Sequence, residues 1–283
     1  MEIGWYPGHM AKAKRQLKEM LPLLDVLIEV ADARIPKSSR NPDLLRLLAG
    51  KPRVLVLNKV DLADAQLALA WAEYYRQQGE EVVLFNGRTG QGLKELRTAL
   101  RESAALDRAK IRRKAPRVGI AGIPNSGKST VLNALVGRAA ASAGDRPGVT
   151  RGKQWVRVAD WEVLDTPGVL WPKLDNRQSA LLLAFTGAIR HEVLEEDALA
   201  LELIGFLKKR YPGLLAGAYN VDEAVEENYA ILAAIGRQRG CLKKGGAVDE
   251  LRAAKLLWTD FRSGKLGRFT LEDPPPAASC GSV

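Results

Sequence analysis

The chain has 283 residues and carries 43 Lys and Arg against 33 Asp and Glu, a net charge of +10. That length accommodates two domains with sizeable cores, and the basic excess favours a polyanionic partner such as RNA. Its two cysteines, Cys241 and Cys280, argue against a disulfide framework or a zinc site, and no apolar signal region or membrane-length apolar run is present, so a cytoplasmic protein without a membrane partner is expected.

The charge is unevenly spread. Residues 1–177 hold 30 basic and 19 acidic side chains, whereas residues 178–283 hold 13 and 14. The second part is itself polarised: residues 192–227 carry 9 acids and 3 bases, and residues 237–268 carry 9 bases and 3 acids.

In chain order, residues 1–10 read as an irregular arm with Trp5, Tyr6 and His9. Residues 11–24 read as an amphipathic helix with Lys12, Lys14, Arg15 and Lys18 on or near its polar side. Val26–Ala31 predicts a strand, followed by a polar, basic loop through Pro36, Lys37 and Arg40, and Asp43–Ala49 a short helix. Val54–Leu57 predicts a strand buried on both faces, with Asn58-Lys59-Val60-Asp61 at its carboxyl end, where open α/β sheets bind ligands.

N-K-x-D is the guanine-reading motif of GTPases. The Asp61 carboxylate can accept from both N1–H and the 2-amino group of guanine, donors that adenine lacks in those positions, and an unpaired buried carboxylate is costly. Lys59 would lie along the base and Asn58 would brace the loop. A helix over residues 64–78 with Asp64 as its cap and a strand at Val82–Phe85 come next. Asn86-Gly87-Arg88 then stands where GTPases carry a second guanine-backing loop, matching it only in position and polarity. A helix is predicted over residues 92–105. The basic connector 107–117 reads equally well as a solvated linker or as part of an RNA-facing patch.

Gly122-Ile123-Pro124-Asn125-Ser126-Gly127-Lys128-Ser129 fits the phosphate-binding P-loop pattern, between an apolar strand at Val118–Ala121 and a helix over residues 130–135. Asn125, Ser126, Gly127, Lys128, Ser129 and Thr130 are the nucleotide-binding stretch. Backbone N–H groups and the helix N-terminus favour phosphate, Lys128 would reach the β- and γ-phosphates, and Ser129 would offer its hydroxyl to Mg²⁺. Residues 139–153 are small and Gly-rich and include Thr150, the natural Mg²⁺-sensing threonine of a switch loop. A hairpin over residues 154–164 leads to Asp165-Thr166-Pro167-Gly168, where Asp165 would hold Mg²⁺ and the Gly168 N–H would sense the γ-phosphate.

Beyond residue 178 only helical patterns occur, at about 179–188, 195–210, 221–237 and 248–263, and a disordered tail is expected from residue 273. The expected architecture is α/β: residues 1–175 form a P-loop GTPase domain, a mostly parallel sheet with helices on both faces, and residues 176–272 an all-α domain able to gather a basic face. In most small GTPases the P-loop precedes the guanine motifs. Here it follows them, so the domain is circularly permuted.

That order, with Trp5-Tyr6-Pro7-Gly8-His9-Met10, Asp32-Ala33-Arg34-Ile35-Pro36, the P-loop and Pro147-Gly148-Val149-Thr150, resembles the YlqF/RbgA family of circularly permuted GTPases over all but the tail. The resemblance implies a factor for late maturation of the large (50S) ribosomal subunit, with a low intrinsic GTPase rate stimulated by that subunit. It also implies an RNA-contacting helical domain similar to ANTAR domains. Partners would be the large-subunit precursor and its rRNA, with the chain itself a monomer. The residue after Gly168 is Val169, which cannot orient a water through its side chain, and the resemblance implies His9 as the catalytic group. Its G-x-P-N-x-G-K-S form is similar to that of potassium-dependent GTPases, with Asn125 helping to hold K⁺. GTP or GDP, Mg²⁺ and K⁺ are the expected cofactors. A second reading is a guanine-nucleotide-gated rRNA-binding module whose hydrolysis is incidental. A permuted GTPase serving the small subunit is a third, disfavoured by residues 5–10.

Overall fold

The computed structural model describes residues 15, 18–47, 50–105, 115–137, 155–158, 161–165, 176–189 and 196–276. They fall into two compact units: residues up to 165 together with 269–276, and residues 176–268. His9, Thr150, Gly168, the connector through residue 114 and the tail from residue 277 lie outside the described residues.

The first unit is built on a six-stranded sheet. Its strands are β1 (Val26–Asp32), β2 (Arg53–Asn58), β3 (Glu81–Phe85), β4 (Arg117–Gly122), β5 (Trp155–Val158) and β6 (Trp161–Asp165), in the order β3-β2-β1-β4-β6-β5. The first five in that order are mutually parallel, and β5 closes the edge antiparallel to β6 as the expected hairpin. Among the described residues its helices include α1 (Pro42–Leu47), α2 (Ala65–Gln77), α3 (Leu93–Ala105) and α4 (Lys128–Val136).

Period-two alternation in buried strands sends successive side chains to opposite faces. Val26, Ile28, Val30, Val54, Val56, Val118 and Ile120 pack with Leu96 and Leu100 of α3 and Val131, Leu132 and Leu135 of α4. Ala31, Leu55, Leu57 and Val82 pack on the other face with Ala68, Trp71, Ala72 and Tyr75 of α2. Helices therefore cover both faces, as the strand pattern predicts. The parallel register sets Asp32 beside Asn58, Asn58 beside Phe85, and Ile120 beside Asp165, so the carboxyl ends of β1, β2, β3 and β6 meet along one edge.

The loop after β1 is polar and basic, as its sequence predicts, yet it is not solvated: Arg34, Ile35, Ser38, Ser39, Arg40 and Asn41 are buried. Glu29, inside β1, is the reason. Its carboxylate accepts from Arg40 Nε (2.9 Å) and Nη2 (2.8 Å), and Arg40 also donates to Glu80 at 2.8 and 2.9 Å. A carboxylate in an apolar strand needs cationic partners, and these draw the loop inward.

The second unit consists of α5 (Arg177–Phe185), α6 (Glu196–Arg210), α7 (Leu214–Tyr219), α8 (Asn228–Gln238) and α9 (Glu250–Ser263). Leu199, Leu203, Leu207, Ile231, Leu257 and Phe261 are among its buried apolar residues. The helix predicted over residues 221–237 begins only at Asn228, and a short helix, α7, precedes it. Asn220 ends α7 in the left-handed region at φ 53°. The Glu223 carboxylate accepts from Gly213 N (2.6 Å), Ala216 N (2.9 Å) and Leu215 N. Capping α7 holds the chain around Glu223 in a turn, and helix resumes only at Asn228. Among the described residues, no helix is long and apolar enough to cross a membrane.

Candidate nucleotide-binding site

β4 ends at Gly122 and α4 begins at Lys128, so residues 123–127 form the loop between strand and helix. Within it, the Ser126 hydroxyl and backbone N–H both donate to Ile123 O (3.0 and 3.4 Å), and Lys128 Nζ donates to the same carbonyl at 2.8 Å. Gly127 has φ 96°, and a Cβ there would lie 2.1 Å from Asn58 Nδ2, so only glycine fits. Ser129 and Thr130 are exposed in the first turn of α4, and Asn125 is exposed on the loop.

The guanine motif is joined to this loop by two side chains. Asn58 Nδ2 donates to Ser126 O (2.9 Å), while its Oδ1 accepts from Gly87 N (3.1 Å). One buried amide thereby connects the loops after β2, β3 and β4. Lys59, at φ 66°, donates to Asn125 O (2.6 Å) and to Asp32 Oδ2 (2.8 Å). Asp61 follows in a turn closed by Leu62 N donating to Lys59 O at 2.9 Å, and Asp64 caps α2 by accepting from Leu67 N at 2.8 Å, as predicted.

The Asn86 carboxamide accepts from Arg88 N (3.0 Å) and Thr89 N (3.3 Å), fixing the turn that carries Gly87 and Arg88. Gly87 lies so close to α4 that a Cβ would be 2.7 Å from Thr130 Cγ2. Asn58, Lys59, Asn86, Gly87 and residues 125–130 are therefore brought together, with Asp61 and Arg88 on the same loops. The backbone of Asp165 ends β6 beside β4.

Asp32 enters the sequence reading only as part of the Asp32–Pro36 motif, without a chemical role, yet it faces this cluster. Its carboxylate accepts from Arg34 Nε (3.0 Å), Arg34 Nη2 (2.8 Å), Arg34 N (3.0 Å) and Lys59 Nζ. Burial would push this carboxyl up, but the Arg34 guanidinium and Lys59 ammonium outweigh it and hold it far below the usual range. The signal for it in the sequence is an acid at the carboxyl end of a buried strand.

The donor set fits a magnesium nucleotide. Among the described residues no group of three or more His, Cys, Asp and Glu side chains could hold a metal alone, whereas Mg²⁺ takes one or two protein oxygens and completes its shell with phosphates and water. The exposed Ser129 hydroxyl beside the loop suits that role.

Residues 117–209 match the family model described as 50S ribosome-binding GTPase. Over 280 residues, 97% of this chain and 95% of the relative, the sequence is 45% identical to ribosome biogenesis GTPase A of Bacillus cereus. It is 36% identical over 275 residues to the protein of that name from Thermotoga maritima, covering 96% of this chain and 95% of the relative. The fold is similar to GNP-bound YlqF from T. maritima, with TM-score 0.67 and 31% identity over 93% of this chain and 99% of that one. The GDP-bound form of YlqF matches with the same TM-score, 30% identity, and 92% and 99% coverage. With guanine and phosphate motifs on adjoining loops and this identity across nearly the whole of both chains, the protein is a GTPase of the ribosome biogenesis GTPase A family.

Proposed function

We propose that the chain is a GTP-hydrolysing assembly factor for late maturation of the large ribosomal subunit, and that the subunit stimulates its hydrolysis. The observation that carries this reading is the bracket formed by Asn58 and Lys59, which ties the guanine motif to the phosphate loop through Ser126 O and Asn125 O. Base recognition and phosphate binding are thus mechanically one site. In this reading Asp61 reads guanine, backed by the Asn86-Gly87-Arg88 turn. Lys128 contacts the β- and γ-phosphates, and Ser129, Thr150 and Asp165 serve Mg²⁺. Gly168 senses the γ-phosphate, the Asn125 side chain helps hold K⁺, and His9 orients the attacking water. The position directly after the Asp-x-x-Gly glycine holds Val169, whose apolar side chain cannot orient a water.

The RNA partner is supported by the exposed bases of the helical unit, including Arg237, Arg239, Lys243, Lys244, Arg252 and Lys255. Arg262 does not belong to that face. It donates to Phe185 O (3.0 Å) and Ala184 O (2.6 Å), capping α5. In this reading the chain is a cytoplasmic monomer that docks on ribosomal precursors.

The test is GTP turnover in potassium buffer, alone, with large subunits and with small subunits. Slow basal turnover, a large rise on large subunits only, and loss of that rise in His9→Ala with GTP affinity retained are expected. No rise with either subunit removes the ribosomal assignment and favours a nucleotide-gated RNA-binding module. An unchanged rise in His9→Ala removes the role given to His9.

A further inference from the structure

The four residues that follow the helical unit return to the sheet unit and pack there as a strap. Phe269, Thr270 and Leu271 are buried, Thr270 completely. Phe269 N donates to Leu62 O (2.9 Å), and Leu271 N donates to Arg34 O (2.7 Å). The Thr270 hydroxyl accepts from Asp64 N (3.2 Å) and donates to Ala33 O (3.3 Å). Glu272 O accepts from Trp71 Nε1 (3.0 Å), and its carboxylate accepts from Lys37 N (2.8 Å), Ser38 N (3.1 Å) and Ser38 Oγ (2.5 Å). The strap thus lies between the loop after β1 and the loop after β2, bonded to both.

Its contacts on the second loop fall at Leu62 and Asp64, immediately beyond Asp61. The other side of Asp61 is held by Asn58 and Lys59, which grip the phosphate loop. The guanine loop is therefore anchored upstream by the nucleotide site itself and downstream by a segment more than 200 positions later in the chain. A carboxylate that must meet two donors in the plane of a base tolerates little displacement, and hydrogen bonds weaken steeply with misalignment.

We propose that Thr270, within the strap Phe269–Glu272, is a positioning residue for the guanine-reading loop, setting the place of Asp61 and so the protein's discrimination for the guanine 2-amino group. This rests on the assignment of Asp61 as the guanine reader. The strap is itself no contact of the nucleotide; it acts through Leu62 and Asp64.

The experiment measures GDP and IDP affinities on full-length protein. IDP lacks the 2-amino group and forgoes one of the two bonds to Asp61. Thr270→Val keeps shape and packing while removing the hydroxyl, and Thr270→Ser restores it. Losing the bond to Asp64 N is expected to weaken GDP binding about fivefold, the equivalent of one net hydrogen bond. IDP binding should weaken by clearly less, so the GDP/IDP ratio narrows, and Thr270→Ser should recover it. Glu272→Ala, which frees only the far loop, should narrow the ratio less than Thr270→Val. An equal loss for both nucleotides in Thr270→Val, or no loss, overturns the proposal. Asp61→Asn with XDP separates the premise. A switch of preference to XDP upholds the Asp61 assignment, so that an unchanged GDP/IDP ratio then overturns the strap alone. No switch overturns both.

Discussion

Replacing Asp32 by Asn tests the buried charge cluster beneath the guanine motif. The substitution preserves shape and one acceptor oxygen but leaves the buried Arg34 guanidinium and the Lys59 ammonium without the carboxylate that faces both. Breaking a buried ion pair from one side costs about 3–5 kcal/mol. The retained acceptor and the partial exposure of Lys59 place this case at the lower end, about 3 kcal/mol. For a unit of this size that corresponds to a fall in melting temperature of about 6–12 °C at neutral pH. Lys59 also loses one of its anchors, so GDP should bind about tenfold more weakly, the equivalent of 1.4 kcal/mol.

The pH dependence follows from the lowered carboxyl. A group depressed in the folded state stabilises fully above its unfolded value, here 3.8, and that stabilisation is lost as the pH falls toward the folded value. The gap between wild type and variant should therefore be flat from neutral pH down to the unfolded value and shrink below it. Thermal melts followed by fluorescence across that range, with fluorescent GDP titrations at neutral pH, give both quantities. A melting temperature within about 2 °C of wild type at pH 7, below the smallest shift expected of a 1 kcal/mol loss, would refute the reasoning.

Asn58→Ala removes the bonds to Ser126 O and from Gly87 N, and should cost about 2–3 kcal/mol in denaturant unfolding and weaken GDP binding, because one buried and one half-buried backbone group lose this partner. Gly127→Ala places a Cβ 2.1 Å from Asn58 Nδ2 at a positive φ, so nucleotide binding measured by titration calorimetry should be abolished even where the fold survives. Glu272 has a raised carboxyl, because burial outweighs the bonds from Ser38 and Lys37. A raised group contributes its stabilisation fully below the unfolded value of 4.5 and loses it as the pH climbs through the folded one. Wild type should therefore gain on Glu272→Gln as the pH is lowered toward 4.5, and a gap that widens with rising pH would contradict this.

Local pattern in the chain determined most of the framework. Apolar runs ending in polar motifs predict buried parallel strands whose ligands sit at their carboxyl ends, and β1, β2, β3 and β4 follow that pattern. The permuted order of the motifs is a property of the string itself, and so is the strand–loop–helix context of residues 118–135. Strand pattern and loop chemistry are set by residues near each other in sequence, which is why they are legible there. One helix boundary was not, because the Glu223 carboxylate turns back to cap the N-terminus of α7, accepting from Gly213, Leu215 and Ala216 N, a pairing that hydrophobic periodicity does not record.

What only the tertiary structure decided are the pairings across the chain. Nothing in Asp32-Ala33-Arg34 says that its carboxylate will meet Lys59, and nothing in residues 33–41 says that so polar a loop will be buried. Both follow once the parallel register has set Asp32 beside Asn58. Thr270 and Glu272 stand at the edge of a proline-rich tail and carry no local pattern, yet they join two loops of the nucleotide-binding unit. Hydrogen bonds of that span depend on where folding delivers the strand ends and the last helix, and a linear chain records the donors and acceptors without recording which of them will meet.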